Sequence, residues 1–348
     1  ASPLFRPGDA LAYVPAMTQA AFEQIARWKA KGPSHVSQIE WDMTGTTFAV
    51  IARTILAGID ESEAAEIQRT GHAYIEPIMW AVASALMLTP ERWWHPGRPK
   101  MLRAAIEGRA VVQRLLDKRR RAGIEGDDLV ARMLRARNPE TGEPMSDEQI
   151  IDNLATFLLA GHETTAKALT WTLYLLARSP EWQARVRAEV REVAGDRVVT
   201  ADDITKLTIT QRVLKEAMRL YPPVPAMTRV NLEPAELGGV DFPQSALIVI
   251  PVFAVHRHKA LWDDPDKFDP DRFLPEREAA FRRTQFMPFG AGPRVCIGAS
   301  FALIEAAAIL ATLVQHAAFS WDGQHAPEPI SRVTLHPKGG MPLHVTLL

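Results

Sequence analysis

Cysteine is nearly absent from this chain: Cys296 is the only one in 348 residues. No internal disulfide can form, which excludes a secreted disulfide scaffold and suits a reducing compartment. Net charge is also nearly absent, at −1 from 40 basic and 41 acidic residues, so nothing favours nucleic acid or an anionic membrane as an obligatory partner. No uninterrupted apolar run is long enough to span a bilayer, and Ala1-Ser-Pro-Leu-Phe-Arg-Pro7 does not read as a signal peptide. These absences lead to the expectation of a cytoplasmic protein without a transmembrane anchor. Repeats, low-complexity linkers and a clean boundary are missing too, so residues 1–348 are read as a single domain.

What is present is ordinary for a globular protein, with 47% hydrophobic and 23% charged residues. Of the 26 prolines, 15 fall at or after Pro222, which predicts a mostly helical part over 1–221 and short strands with irregular connections over 222–348. Apolar spacing predicts helices over 16–31, 42–56, 61–87 and 99–122, with a Pro- and Trp-rich turn from Pro90 to Pro99. The Lys118-Arg-Arg-Arg121 run is read as a solvated helix end, where cations are favoured. Ser146-x-x-Gln149 forms a capping box for the longest helix, which runs to Arg178 before Ser179-Pro180. Further helices are predicted over 180–194, 211–221 and 299–316. Strands are predicted over 224–229 and 246–252, and the tail from Ile330 to Leu348 as paired strands turning at Lys338-Gly-Gly340.

Two stretches carry chemistry. In Phe286-Met-Pro-Phe-Gly-Ala-Gly-Pro-Arg-Val-Cys-Ile-Gly298, prolines and glycines forbid a regular element before Cys296, and the helix from Ala299 begins just after it. The helix N-terminus should favour the thiolate, and the glycines let a flat, bulky group approach the backbone. In Ala160-Gly-His-Glu-Thr-Thr165, a glycine, an acid and two hydroxyls interrupt the core of the longest helix. Glycine costs about 1 kcal/mol against alanine there, and a buried carboxylate costs more unless it is partnered. His162-Glu163 is not metalloprotease chemistry, because the second histidine that motif needs would fall at Ala166. His256-x-His258 is a weak metal pair without a third ligand.

The pattern Phe289-x-x-Gly292-x-Arg294-x-Cys296-x-Gly298 resembles the haem-ligand signature of the cytochrome P450 family, with every fixed position filled. The resemblance implies a mainly α fold with a small β region and a long central helix over haem b, iron protoporphyrin IX. Cys296 would be the axial thiolate ligand, which favours O–O cleavage. Arg294 would pair with a haem propionate, Phe289 would shield the sulfur, and Gly290 and Gly298 would give the ring room. Ala160 and Gly161 resemble the oxygen-binding groove of the family's central helix. By that likeness Thr164 would hydrogen-bond bound dioxygen and Glu163 would relay protons from solvent, while His162 has no catalytic role.

Glu216 and Arg219, three apart on one helix face, together with Arg272 in Phe268-Asp-Pro-Asp-Arg-Phe273, resemble the family's Glu-x-x-Arg pair and the arginine of its meander. The resemblance gives them a scaffolding role, locking the cysteine loop to the core. It also carries Arg229 to a propionate and Val224, Ala226 and Met227 to the pocket wall. Trp94-x-x-x-Arg98 matches the spelling of another propionate contact, but Pro96 and Gly97 make it a poor helix and the match is read as accidental. Family members normally have a substantial segment before the point that matches Ala1, with part of the β region, a propionate-contact helix and a loop roofing the substrate.

The implied activity is a haem-thiolate monooxygenase inserting one atom of O2 into a hydrophobic small molecule. No Gly-x-Gly-x-x-Gly follows a strand and no cysteine cluster could hold iron–sulfur, so a ferredoxin or flavoprotein electron donor is implied. A peroxide-driven peroxygenase of the same fold, and a haem-binding module without turnover, remain open at this point.

Overall fold

A computed structural model describes residues 7–55, 59–78, 80, 83–84, 87, 94–123, 128–138, 140–324 and 326–348. The principal helices and strands before the Pro-rich part are α1 (Val14–Ala30), β1 (Ser34–Gln38), α2 (Ile39–Thr54), α3 (Glu61–Ile75), α4 (Arg98–Ala122), α5 (Asp147–Arg178), α6 (Pro180–Ala194) and α7 (Thr208–Leu220). After it come β2 (Met227–Val230), β3 (Leu247–Ile250), α8 (Ala299–His316), β4 (Ala317–Ser320), β5 (Pro329–Ser331), β6 (Leu335–Pro337) and β7 (Pro342–Leu347).

The central helix α5 is the axis. Its capping box closes as the sequence predicts: Ser146 Oγ accepts from the Gln149 amide at 3.2 Å, and Gln149 Oε1 accepts from the Ser146 amide at 3.0 Å. From Thr165 to Ala177 every residue is buried. Threonines survive in that stretch because Thr170 and Thr172 donate to the carbonyls of Ala166 and Ala168 one turn back. One apolar cluster gathers α1, α6, α7 and α8 around this second half, with Trp28, Trp171 and Leu310 among its members. A second joins α2, α3 and α4 to the first half, through Phe48, Leu116 and Leu154. Phe301 on α8 packs against both.

Several boundaries differ from the sequence reading. The helix expected from residue 42 starts at Ile39, and the one expected over 61–87 is continuous only to Ile75. The end of the former at Leu56 and Gly58, and residues 90–93 of the expected Pro- and Trp-rich turn, lie outside the described residues. Short helices at Leu129–Arg135 and Ala201–Ile204 were not anticipated, nor was β1, whose Ser-His-Val-Ser-Gln has little intrinsic strand character. Its extended state is imposed from far along the chain: Ser34 faces Thr346 and Gln38 faces Pro342 on β7.

The tail turns at Gly339 and Gly340, both with left-handed φ, as its sequence requires. The strands flanking that turn do not pair with each other, however. β6 pairs with β5, whereas β7 lies between β1 and β4. Among the described residues α8 is the one helix long and apolar enough to cross a membrane. Glu305 to Val314 of it are buried in the core.

Glu305 is the anomaly of that helix, fully buried with neither carboxylate oxygen hydrogen-bonded. The Thr165 hydroxyl lies close enough to lower its carboxyl slightly but donates to Gly161 O at 3.3 Å. Burial pushes the Glu305 carboxyl up to about 8, so the folded protein holds it as the neutral acid at pH 7.

The cysteine loop is tied to the core through α7. Arg219 donates from Nε and Nη2 to Glu216 at 2.7 and 2.8 Å, both side chains being wholly buried. Its Nη1 donates to His256 O and Pro265 O at 2.8 and 2.7 Å, and Nη2 also reaches Lys267 O at 3.2 Å. Arg272 Nε stands 3.4 Å from Glu216 Oε1, and the Asp269 amide donates to that oxygen at 2.9 Å. Burial raises the Glu216 carboxyl above its ordinary value, while Arg219, the Asp269 amide and Arg272 pull it down. His256, read from sequence as half of a weak metal pair, is a buried neutral ring lowered to about 4 by burial, and its Nε2 accepts from the Met287 amide at 2.9 Å. Gly290 then donates to Met287 O, and Cys296 to Phe289 O at 2.9 Å.

Two outcomes are expected. Glu216→Gln leaves Arg219 buried without its counter-charge and should cost about 3–5 kcal/mol in denaturant unfolding, with loss of haem loading; wild-type stability would contradict the lock. The raised Glu305 carboxyl contributes most below its unfolded value near 4.5, and that contribution is lost as pH rises through about 8. Glu305→Gln should therefore gain on wild type between pH 5 and 8, by up to about 4 kcal/mol; parallel stability–pH curves would contradict this.

Candidate active site

A cleft with about 1220 Å³ of atom-free space, its mouth included, separates α5 from the cysteine loop. Ala160, Gly161, Thr164 and Thr165 border it from α5, and Phe289, Cys296 and Gly298 from the other side. On an α-helix residues 161, 164, 165 and 168 share one face, so the groove motif presents one small and polar stripe to the cleft. Gly161 is also a packing necessity: a Cβ there would stand 2.9 Å from Ile51 Cδ1, itself a cleft residue.

The Thr164 hydroxyl donates to Ala160 O at 2.8 Å, which leaves its oxygen lone pairs free to accept from a molecule in the cleft. His162, to which the sequence reading gives no catalytic role, packs within the fold. Its Nδ1 meets Leu158 O at 2.7 Å, its ring lies edge-on to Phe48, and burial lowers its pKa.

The remaining residues divide. Val224 and Met227 border the cleft, and Met227 Sδ would stand 3.2 Å from a Cβ on Gly290, whose φ is +77°. Ala226 does not border the cleft; it is exposed, because alternate residues after Pro225 point in opposite directions. Arg229 makes no carboxylate contact and donates to Thr228 O at 2.8 Å. Arg294 lies exposed in the Gly292–Arg294 turn.

Cys296 lies two residues before Gly298, the N-cap of α8, whose Ala299–His316 span is the one the sequence predicts. Although Cys296 is solvent-accessible, the surrounding apolar atoms push its thiol up, and only the Gly298 amide opposes them. Coordination to a bound cation would favour the thiolate against that burial.

These residues fit a haem. The cleft is almost wholly apolar, Cys296 borders it, and the glycine at 290 keeps the loop against Met227 where a Cβ would crowd it. Arg294 and Arg229 have no carboxylate partner among the described residues and stand available to acidic groups on a ligand. Val295 and Ile297, 53% and 38% exposed, are apolar side chains beside the sulfur.

Glu163 sits on the opposite side of α5, on Thr334 and His336, and is absent from the cleft lining. Sequence reasoning missed those partners. Lys167, one turn along in a run of apolar residues, was a legible signal that Glu163 is paired; nothing in the sequence points to His336 or Glu40. Glu305, an acid inside Ala-Leu-Ile-Glu-Ala-Ala-Ala, carried the same signal as Glu163 and was passed over.

Comparison with known proteins matches this arrangement. The family model for cytochrome P450 covers residues 1–343. Cyclooctat-9-en-7-ol 5-monooxygenase of Streptomyces melanosporofaciens is 34% identical over 89% of this chain and 67% of its own length. A cytokinin hydroxylase of Arabidopsis thaliana is 38% identical over 70% of this chain and 48% of its own. The crystal structure of the cytochrome P450DA heme domain superposes with a TM-score of 0.86 at 29% identity, over all of this chain and 74% of that one. The chain spans about two thirds of the length of several curated relatives it matches. From the filled cysteine signature, the cleft it borders, the family match and the shared fold, the chain belongs to the cytochrome P450 family.

Proposed function

We propose that the chain is a haem-thiolate monooxygenase that inserts one atom of O2 into an apolar small molecule while the other goes to water, with electrons from a ferredoxin or flavoprotein. The observation that carries this reading is the juxtaposition of the Cys296 sulfur and the Thr164 hydroxyl on one apolar cleft. Haem b is the proposed cofactor, with Cys296 as its protein ligand and Arg294 and Arg229 as partners for its carboxylates. When bound, it supplies the redox-active iron at which dioxygen is reduced, its thiolate ligand favouring O–O cleavage.

This chain's own residues do the rest. Apolar walls at Ile51, Phe157, Val224 and Phe301 exclude water and select a substrate that is largely hydrocarbon. The relative that acts on cyclooctat-9-en-7-ol by its name supports that class. Thr164 accepts and passes protons at Oγ1, and Glu163, its neighbour in sequence, is the acid behind it. A single free thiol supports a cytoplasmic location.

The test is product formation from apolar substrates with NADPH and surrogate redox partners, set against hydrogen peroxide alone. Product should require the electron donor; turnover with peroxide only would favour a peroxygenase, and none with either would favour a binding module. Thr164→Ala should retain substrate binding but divert at least half of the consumed NADPH into peroxide, and unchanged coupling would remove Thr164 from the proton path.

A further inference from the structure

On the face of α5 that points away from the cleft, four ionisable side chains from three separate parts of the chain meet. Glu163 and Lys167 stand one turn apart on α5, Glu40 lies in the first turn of α2, and His336 is on β6. Lys167 Nζ donates to Glu40 Oε1 at 2.7 Å, and His336 Nδ1 lies 2.9 Å from the same oxygen. His336 Nε2 lies 3.1 Å from Glu163 Oε1, and the Thr334 hydroxyl donates to that oxygen at 2.9 Å. The side chains of Lys167, Glu40, Glu163 and His336 are 4%, 11%, 14% and 19% exposed, which makes His336 the member most open to water.

The hydrogen-bond partners fix the ring's protonation. Nδ1 faces a carboxylate, which only accepts, so it carries hydrogen. Nε2 faces the Glu163 carboxylate and the Thr334 oxygen, whose own hydrogen is directed to Glu163, so it carries hydrogen too. Charge counting agrees: two carboxylates and one ammonium leave −1, and an imidazolium brings the buried group to zero. Among the described residues Glu163, Glu40 and Lys167 are the charged groups that act most strongly on His336.

We propose that His336 is the proton port of Glu163, a positioning residue that holds an exchangeable proton at the solvent side and supplies it through the back of the central helix. The His336 Nε2–H bond breaks as an O–H bond forms on Glu163, giving neutral imidazole and carboxylic acid. To pass that proton to the cleft the Glu163 side chain has to turn from Thr334 and His336, which hold it behind α5, toward Thr164, and His336 takes another proton from water, so one proton enters for each that leaves. Glu40 keeps the Nδ1 hydrogen in place, which confines exchange to Nε2. The inference rests on the reading of Glu163 as the acid of a proton-consuming reaction. Its two carboxylate partners raise His336 despite burial, while His336 and Lys167 bring Glu163 down to about 2, so the resting cluster stores the proton on His336 and its transfer to Glu163 is uphill, drawn forward as the reaction consumes protons.

The test is an NMR titration of the imidazole nitrogens in the haem-loaded protein, with His336 assigned by its loss in His336→Gln. In wild type His336 should titrate above the ordinary midpoint near 6.5, and Glu163→Gln and Glu40→Gln should each lower it by about one pH unit. A wild-type midpoint at or below the ordinary value, or one that ignores Glu163→Gln, overturns the inference. Where turnover is found, His336→Gln should raise the peroxide-forming fraction several-fold at neutral pH and flatten its pH profile, whereas an unchanged profile overturns it. The titration needs no turnover, so its failure sinks this inference alone; absence of product with every donor sinks the functional reading and leaves the titration to decide the charge of His336.

Discussion

A buried carboxylate held in the fork of a buried guanidinium is the constraint from which the site hangs. Neither Glu216 nor Arg219 touches water, so each must find every partner inside the protein. Arg219 does so with three carbonyls, those of His256, Pro265 and Lys267, and thereby ties the end of the short helix Val252–Val255 to the irregular chain that follows it. His256, fixed by its own carbonyl, accepts the Met287 amide, and from Met287 the loop is hydrogen-bonded through to Cys296. A sulfur on an exposed loop is thus positioned by a charge pair on a core helix.

The central helix divides its labour by face. Toward the cleft it places alanine, glycine and two threonines, which leave room and supply hydroxyls. Away from it stand Glu163 and Lys167, which would be prohibitively costly in an apolar core but are neutralised by Glu40 and His336. Both faces belong to one element, with Glu163 and Thr164 adjacent in sequence and directed to opposite sides of it.

What could be read from sequence was what is local. The cysteine loop, the Ser146 capping box, the Glu216–Arg219 spacing and the groove motif are each set within a few residues, and the structure has them where the sequence reading put them. Arg272 joins Glu216 as the resemblance implied. The failures are non-local. Side-chain direction in a short strand depends on register, which is why Ala226 does not border the cleft that its neighbours Val224 and Met227 line. β1 is extended because β7, some three hundred residues on, pairs with it, and the same distance separates Glu40 from His336. The helix start alone would favour the thiolate, but desolvation by the loop outweighs its one amide, and that burial depends on how the loop folds.

The central claim is that this lock presents Cys296 as a thiolate ligand to haem. The most direct measurement is the absorption spectrum of the purified, haem-loaded chain, reduced and saturated with carbon monoxide. A strongly red-shifted Soret band, the sign of a thiolate opposite the carbonyl, is the predicted result. A band at the position of histidine-ligated haem, or a chain that takes up no haem, would contradict the account.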